Sequence, residues 1–354
     1  MGYLIAIIIL AICFDFINGF HDSANSIATV VSTKVLKPVV AVIWAAVFNF
    51  VAFFIAEYLL GFNIANTVQK VVEGEMVTLP IIIAGLCAAI VWSLITWWKG
   101  IPSSSSHTLI GGLVGAAVCC KGFMAVHWST VGFICIFIIL APLMGLIAGN
   151  IITVLLYWCC RRVKPHVADR WCKRLQLVSS AGLSIGHGLN DSQKEIGVIA
   201  CALAAFGAQY GFDGLPEWLQ PDTITHAANS AQNLTGAPVW IPVACITAIA
   251  IGTMSGGWKI IKTMGNKITK ITPIEGFCSQ MAGAVTLFVT QNLGVPVSTT
   301  HVISGSIMGV GAVKRLSAVR WGVTIDLITA WIITIPVSAV IGAAVYGIMT
   351  IFTI

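Results

Sequence analysis

The sequence predicts an all-α membrane protein of about ten transmembrane segments, in two inverted-topology repeats with broken helices or re-entrant hairpins. Three observations predict it. Hydrophobic residues make up 58% of the chain and charged residues 9%, with a mean hydropathy of +0.95, whereas soluble domains run to roughly a quarter charged. Apolar runs recur along the whole chain, five before a basic stretch and five after it. Two polar words occur twice inside those runs. Gly19-Phe20-His21-Asp22-Ser23 returns as Gly188-Leu189-Asn190-Asp191-Ser192, and Pro102-Ser103-Ser104-Ser105-Ser106-His107 returns as Pro296-Val297-Ser298-Thr299-Thr300-His301.

A helix needs about 20 apolar residues to cross a bilayer. The runs fall at 3–33, 38–62, 79–98, 104–120 and 128–160, then at 176–207, 238–256, 272–294, 297–313 and 321–353. The first follows Met1 almost directly, with no basic n-region or small-residue cleavage pattern, and reads as a span rather than a cleaved signal. Several runs exceed 30 residues and must tilt or bend, with Pro142 and Pro336 as candidate kinks. The stretches at 100–120 and 295–313 either cross fully or re-enter. The 11 cysteines form no CxxC pair and mostly lie in apolar runs, as at Cys87, Cys135, Cys201 and Cys245. There they act as small hydrophobes, so no metal site, disulfide framework or cofactor is expected.

The formal charge of +6 sits in short loops between apolar runs, which speaks for membrane orientation rather than nucleic-acid binding. With the N-terminus outside and each run crossing once, 16 of the 19 Lys and Arg fall on the inner side, Lys34, Lys37, Lys99, Arg161, Arg162, Lys164 and Arg170 among them. Lys70 and Lys121 stay outside and Lys194 lies within a segment. The outer loop 208–237 carries Asp213, Glu217 and Asp222 and no basic residue. This threading divides the chain into a first inverted repeat at 1–160, a short cytoplasmic basic linker at 161–175 and a second inverted repeat at 176–354. An odd number of crossings per half makes the second half enter from the opposite face. The Asp word repeats at an offset of 169 (188 − 19) and the Pro-Ser word at 194 (296 − 102); the 25-residue difference matches the extra outer loop.

A duplicated polar interruption inside a membrane segment points to a transporter binding site, because carboxylates in hydrocarbon are expensive. Gly19 weakens its helix by roughly 1 kcal/mol relative to Ala, and a break there would expose carbonyls and amides beside Asp22. Carbonyls and a carboxylate suit a cation, whereas amides at a helix start suit an anion. Pro102 stops one helix, and the hydroxyls of Ser103, Ser104, Ser105 and Ser106 lead into another. Gly111, Gly112 and Gly115, like Gly305 and Gly309, let that helix approach a neighbour. His107 and His301 stand at helix starts, where neutral packing roles suit them, while His21 and His187 flank the Asp words. Asp15, Glu57, Lys194, Glu195, Glu275 and Asp326 are the other intramembrane charges. Lys194, three residues after Asp191, either neutralises that carboxylate or contacts the anion.

These words resemble those of the inorganic phosphate transporter (PiT) family, in its bacterial low-affinity Pit type. The family's repeated Gly-x-Asn-Asp-x-(Ala/Ser)-Asn signature is matched at Gly19–Asn25 and Gly188–Lys194, and the Pro-x-Ser-(Ser/Thr)-(Ser/Thr)-His turns at Pro102 and Pro296. The resemblance covers nearly the whole chain. It implies symport of inorganic phosphate, or of a neutral metal–phosphate, with H⁺ or Na⁺, by a multi-pass protein of the plasma (inner) membrane with both termini outside. Three departures from the family pattern stand out: His21 replaces Asn, Lys194 replaces the second Asn, and Gln280 stands where sodium-coupled relatives look to have Glu. The first two resemble the proton-coupled branch, and the third removes a candidate cation ligand.

The resulting expectation is a secondary transporter, not an enzyme. Ser104, Ser105, Ser298, Thr299, Thr300, Asn25 and Asn190 are assigned to phosphate, Asp22 and Asp191 to the coupling cation, and His21, Lys194 and Gln280 to accessory roles; no residue is assigned to catalysis or to a resident metal. Its partners are phosphate, the coupling cation and the lipid bilayer, not nucleic acid, with a homodimer left open. A phosphate or anion channel without coupling is the alternative. A hydrolase pairing Ser104 with His107, or Ser298 with His301, lacks an orienting carboxylate beside either pair.

Overall fold

The computed structural model describes residues 1–60, 63–72, 76–211, 215–220 and 238–353. Most of the outer loop 208–237, including Asp213 and Asp222, and the side chain of Glu57 lie outside the described residues. The architecture is α-helical: α1 (Gly2–Ser32), α2 (Pro38–Ile55), α3 (Asn63–Gln69), α4 (Leu79–Lys99), α5 (Ser105–Lys121), α6 (Trp128–Cys160), α7 (Pro165–Tyr210), α8 (Trp240–Ser255), α9 (Trp258–Asn266), α10 (Pro273–Asn292), α11 (Thr299–Lys314) and α12 (Trp321–Thr353). Among the described residues five helices are long and apolar enough to cross a membrane, and six if α8 and α9, bent by 73°, form one span.

The Asp words do not break their helices. α1 runs unbroken through Gly19–Asn25, and α7 continues for 46 residues through Gly186–Lys194. The glycines serve packing instead. A Cβ on Gly19 would run into the Ile249 backbone of α8, and one on Gly188 would sit 2.7 Å from the Asn49 carbonyl oxygen and 2.8 Å from Ala52 Cβ on α2. Close contact over these seams outweighs the roughly 1 kcal/mol that glycine costs a helix. α7 also begins at Pro165, so most of the basic linker 161–175 forms its first turns. Pro142 and Pro336 lie inside α6 and α12, each of which continues past its proline.

The Pro-Ser words do turn the chain. Gly100 ends α4 with φ +68, Pro102 follows, and α5 opens with Ser104 as its cap, accepting the His107 N–H at 3.3 Å. Ser298 does the same for α11 with His301 N–H, also at 3.3 Å. At its other end α5 returns beside the end of α3, through an antiparallel bridge of Val72 with Val126. α4–α5 and α10–α11 are thus helical hairpins. At α10 a capping box joins Thr272 to Glu275, whose carboxylate also pairs with Lys314, giving Glu275 a structural role.

The two halves interleave. α6 packs on α11 and α12 on α5, while α1 packs on α8 and α4, and α7 on α2 and α10. The seams are built of small residues: a Cβ on Gly115 would strike the Ala339 backbone of α12, and one on Gly309 the Leu146 backbone of α6. α6 and α12 turn Ile136, Ile139, Ile151, Ile332 and Val340 outward, the apolar exterior a bilayer requires. Polar residues instead fill the middle, along α1 from Asp15 to Thr29 and along α7 from Ser179 to Glu195.

Candidate functional site

α1 and α7 pack against each other and bring the two Asp words together. Thr299, first residue of α11, reaches both carboxylates: its Oγ1 lies 3.4 Å from Asp22 Oδ2 and 3.3 Å from Asp191 Oδ2. One hydroxyl hydrogen serves one of them at a time. Thr300 Oγ1 lies 3.5 Å from Asp22 Oδ1 and 3.3 Å from the Ser103 carbonyl, so the tips of the two hairpins meet. The rings of His107 and His301 also meet, with centroids 4.9 Å apart. Trp331 of α12 stacks on His301 at 4.1 Å and donates from Nε1 to the Pro102 carbonyl at 3.2 Å, holding both turns.

Each carboxylate has its own imidazole. His21 Nδ1 lies 2.7 Å from Asp22 Oδ1, and its Nε2 faces Thr96 Oγ1 at 3.2 Å and Ser103 Oγ at 3.5 Å. His187 Nε2 lies 3.0 Å from Asp191 Oδ2, and its Nδ1 faces Asn49 Oδ1 at 3.2 Å. Asp22, His187 and Asp191 offer three ligand atoms within 4.8 Å of one another, a set that could hold a cation. All these side chains are buried.

The duplicated words make one contact twice. Asn25 and Lys194 hold the same place in the Asp word (25 + 169 = 194), and Ser106 and Thr300 the same place in the Pro-Ser word (106 + 194 = 300). Asn25 Nδ2 donates to Thr300 Oγ1 at 3.0 Å and to Thr299 Oγ1 at 3.2 Å. Lys194 Nζ donates to Ser106 Oγ, and at 2.5 Å to Asp191 Oδ1. One copy therefore presents an amide where the other presents a full positive charge.

Asp22, Asp191, Asn25, Thr299, Thr300, His21 and Lys194 thus converge. Ser104 and Ser298 cap α5 and α11 at the edge of the cluster, and Ser105 is buried in the first turn of α5. Two assigned residues turn elsewhere. Asn190 donates to the Gly186 carbonyl at 2.8 Å and the Leu287 carbonyl at 3.4 Å, so its amide serves the α7–α10 seam. Gln280 donates to the Ser26 carbonyl at 3.0 Å and accepts from Ser179, tying α10 to α1 and α7. Sequence reasoning missed Thr96 and Asn49, the polar partners of the two imidazoles. The signal was there, since Asn49 is the lone polar side chain of α2 and Thr96 lies three residues after Ser93 on a buried face of the otherwise apolar α4.

An apolar exterior around a sealed knot of carboxylates, ammonium, imidazoles and hydroxyls defines a multi-pass membrane protein built on a buried polar site. Comparison with known proteins identifies the family. Residues 18–342 match the family model described as the phosphate transporter family. A Rhizobium meliloti (strain 1021) protein is 43% identical over 97% of this chain and 95% of its own length, and a Bacillus subtilis (strain 168) protein 42% identical over 98% and 96%. Both are described as "probable low-affinity inorganic phosphate transporter". The fold is shared with a solved structure described as "The sodium-dependent phosphate transporter", with a TM-score of 0.81 over 99% of this chain and 100% of that one, at 24% identity. The chain belongs to the phosphate transporter family, whose members are transporters rather than enzymes.

Proposed function

We propose that this chain imports inorganic phosphate by proton-coupled symport, through about ten crossings in two inverted repeats, in a plasma membrane with both termini outside. The observation that carries this is the buried knot in which Thr299 touches both Asp22 and Asp191 while Lys194 holds Asp191. Mirror-related contacts support the inverted repeat: Asn25 on Thr300 against Lys194 on Ser106, and Trp128 Nε1 on the Phe123 carbonyl (2.8 Å) against Trp321 Nε1 on the Leu316 carbonyl (2.9 Å). The placing of 16 of the 19 Lys and Arg supports the orientation.

Charge bookkeeping explains why an anion and a cation travel together. With neutral imidazoles, two carboxylates against one ammonium leave one net negative charge in a sealed pocket. Adding phosphate alone deepens that charge, at a cost of several kcal/mol per uncompensated ion. A proton on Asp22, His21 or His187 offsets it, so the loaded pair is the species that crosses. The first-turn amides and hydroxyls of α5 and α11, at Ser104, Ser105, Ser298, Thr299 and Thr300, supply donors to the phosphate oxygens, and Asn25 adds an amide. Lys194 already fills with positive charge the position facing Asp191, which favours H⁺ over Na⁺ as the coupling ion. Because α6 packs on α11 and α12 on α5, alternating access moves mixed helix groups, not residues 1–160 against 176–354.

Neutral metal–phosphate is the second reading of the cargo, favoured by the three ligand atoms of Asp22, His187 and Asp191. Radiolabelled phosphate uptake into proteoliposomes, with pH and sodium gradients imposed separately, tests the proposal. Accumulation driven by the pH gradient alone is expected. Accumulation driven only by sodium overturns proton coupling, and equilibration without accumulation makes the protein a channel. Dependence on added divalent cation selects the metal–phosphate cargo.

A further inference from the structure

Two buried acids play no part in the site just described. Asp15 of α1 is 0% exposed and Glu195 of α7 is 1% exposed. Asp15 and Glu195 act on each other across the packed α1–α7 seam, with Cys245 of α8 beside Asp15. Neither oxygen of Asp15, nor Oε2 of Glu195, receives a hydrogen bond from an N–H or O–H group. Unpaired carboxylates are not left sealed inside a protein without cause. Two neighbouring carboxyls shut off from water are built to share a proton, because two like charges repel strongly there.

The pair lies on the faces that lead to the phosphate site. Asp15, Asn18 and Asp22 fall at i, i+3 and i+7 on α1, and Asp191 and Glu195 at i and i+4 on α7. At 1.5 Å per residue, Asp15 stands about 10 Å along α1 from Asp22, toward the N-terminus. The charges that act on the pair are Asp191 and Lys194. Of the elements around it, α8 offers Cys245 alone, α2 and α3 offer no ionisable side chain, α4 offers Cys87 and Lys99, and α5 offers His107, Cys119, Cys120 and Lys121. No cation among these contacts Asp15.

The pair also breaks the duplication. The counterpart of Asp15 is Ser184 (15 + 169), and that of Glu195 is Ser26 (195 − 169). The acids therefore stand on one side of the site only, toward the end of α1 that the proposed orientation puts outside.

We propose that Asp15 and Glu195 form the proton-loading site of the transporter: they take a proton from the outer side and pass it toward Asp22 and Asp191 when phosphate binds. This rests on the proton-symport reading above. No bond to phosphate forms or breaks; the proton leaves one carboxyl oxygen and ends on an acceptor of the phosphate site.

The test uses the full-length protein in proteoliposomes, with Asp15→Asn and Glu195→Gln, both nearly isosteric. In wild type, one pH unit of gradient drives about tenfold accumulation of phosphate per coupled proton. In each variant, gradient-driven accumulation is expected to vanish while phosphate/phosphate exchange persists. Accumulation retained in both variants overturns the proposal, and so does loss of exchange together with accumulation, which marks the pair as structural. Infrared spectroscopy of the wild type decides the matter even if a variant does not fold. A protonated-carboxyl band that responds to phosphate addition is expected, and its absence overturns the assignment. A wild type driven by sodium alone defeats the symport reading itself and is distinct from either outcome.

Discussion

Lys194→Met tests the electrostatics of the site directly. Lys194 and Asp191 are both buried, and Nζ sits 2.5 Å from Oδ1 with Ser106 as its other partner. Methionine keeps most of the apolar stem but removes the charge, leaving Asp191 sealed in the interior against a carboxylate on α1. Breaking a buried pair by removing one partner costs about 3–5 kcal/mol. His187 at 3.0 Å and the Thr299 hydroxyl at 3.3 Å remain beside Asp191, so the lower end, about 3 kcal/mol, is the expectation. Asp191→Asn strands the ammonium instead and should cost a similar amount. The double variant removes both charges, so its cost should fall below the sum of the singles by about 2 kcal/mol or more. Thermal and denaturant unfolding of detergent-purified protein, followed by tryptophan fluorescence, reads all three. A Lys194→Met protein as stable as wild type, or strictly additive costs in the double variant, would refute the assignment of Lys194 as the counter-charge of Asp191.

Further outcomes follow from single contacts. Asp22→Asn should abolish proton-driven phosphate uptake in proteoliposomes with little change in unfolding temperature, since an amide still bonds His21 at the 2.7 Å position. Gly188→Ala should destabilise by about 1–3 kcal/mol, the range for overpacking, because its Cβ would sit 2.7 Å from the Asn49 carbonyl oxygen; unfolding curves check it. Trp331→Ala removes the stack on His301 and the bond to Pro102 and should cost about 3–5 kcal/mol, with phosphate uptake reduced as the hairpin tips loosen.

The convergence of the Asp words was legible because polar residues in hydrocarbon have few innocent uses. Asp22 and Asp191 stood out in short polar words within apolar runs, and the duplication said that they meet. The hairpin starts were legible from Pro102 and Pro296, each followed by hydroxyl residues suited to capping the next helix. What misled was glycine. Gly19 read as a helix breaker from propensity alone, but propensity is worth about 1 kcal/mol, and tight backbone contact with α8 outweighs it. Asn190 misled for a related reason: its place in the motif spoke for the ligand, while its amide turns back to the Gly186 carbonyl of its own helix and the Leu287 carbonyl of α10. The interleaving of the halves was invisible, because an offset in sequence fixes which residues correspond but not which helices pack.

Duplication and divergence do different work in this chain. The repeated words build a cluster with matched helix starts and matching contacts at Asn25–Thr300 and Lys194–Ser106. A cluster with that symmetry has no preferred direction for an ion. Five buried ionisable departures from the repeat break it: Lys194 against Asn25, His21 against Asn190, His187 against Asn18, Asp15 against Ser184, Glu195 against Ser26. These substitutions give the two copies different charge without disturbing the backbone frame, because each lies on the inner face of a continuous helix. On the proposed function, the shared positions serve the anion and the positions where the copies differ set the coupling ion. Coupling should accordingly respond to exchanging Asn25 and Lys194 between copies, whereas helix packing, which rests on the glycine seams of α5, α6, α11 and α12, should not.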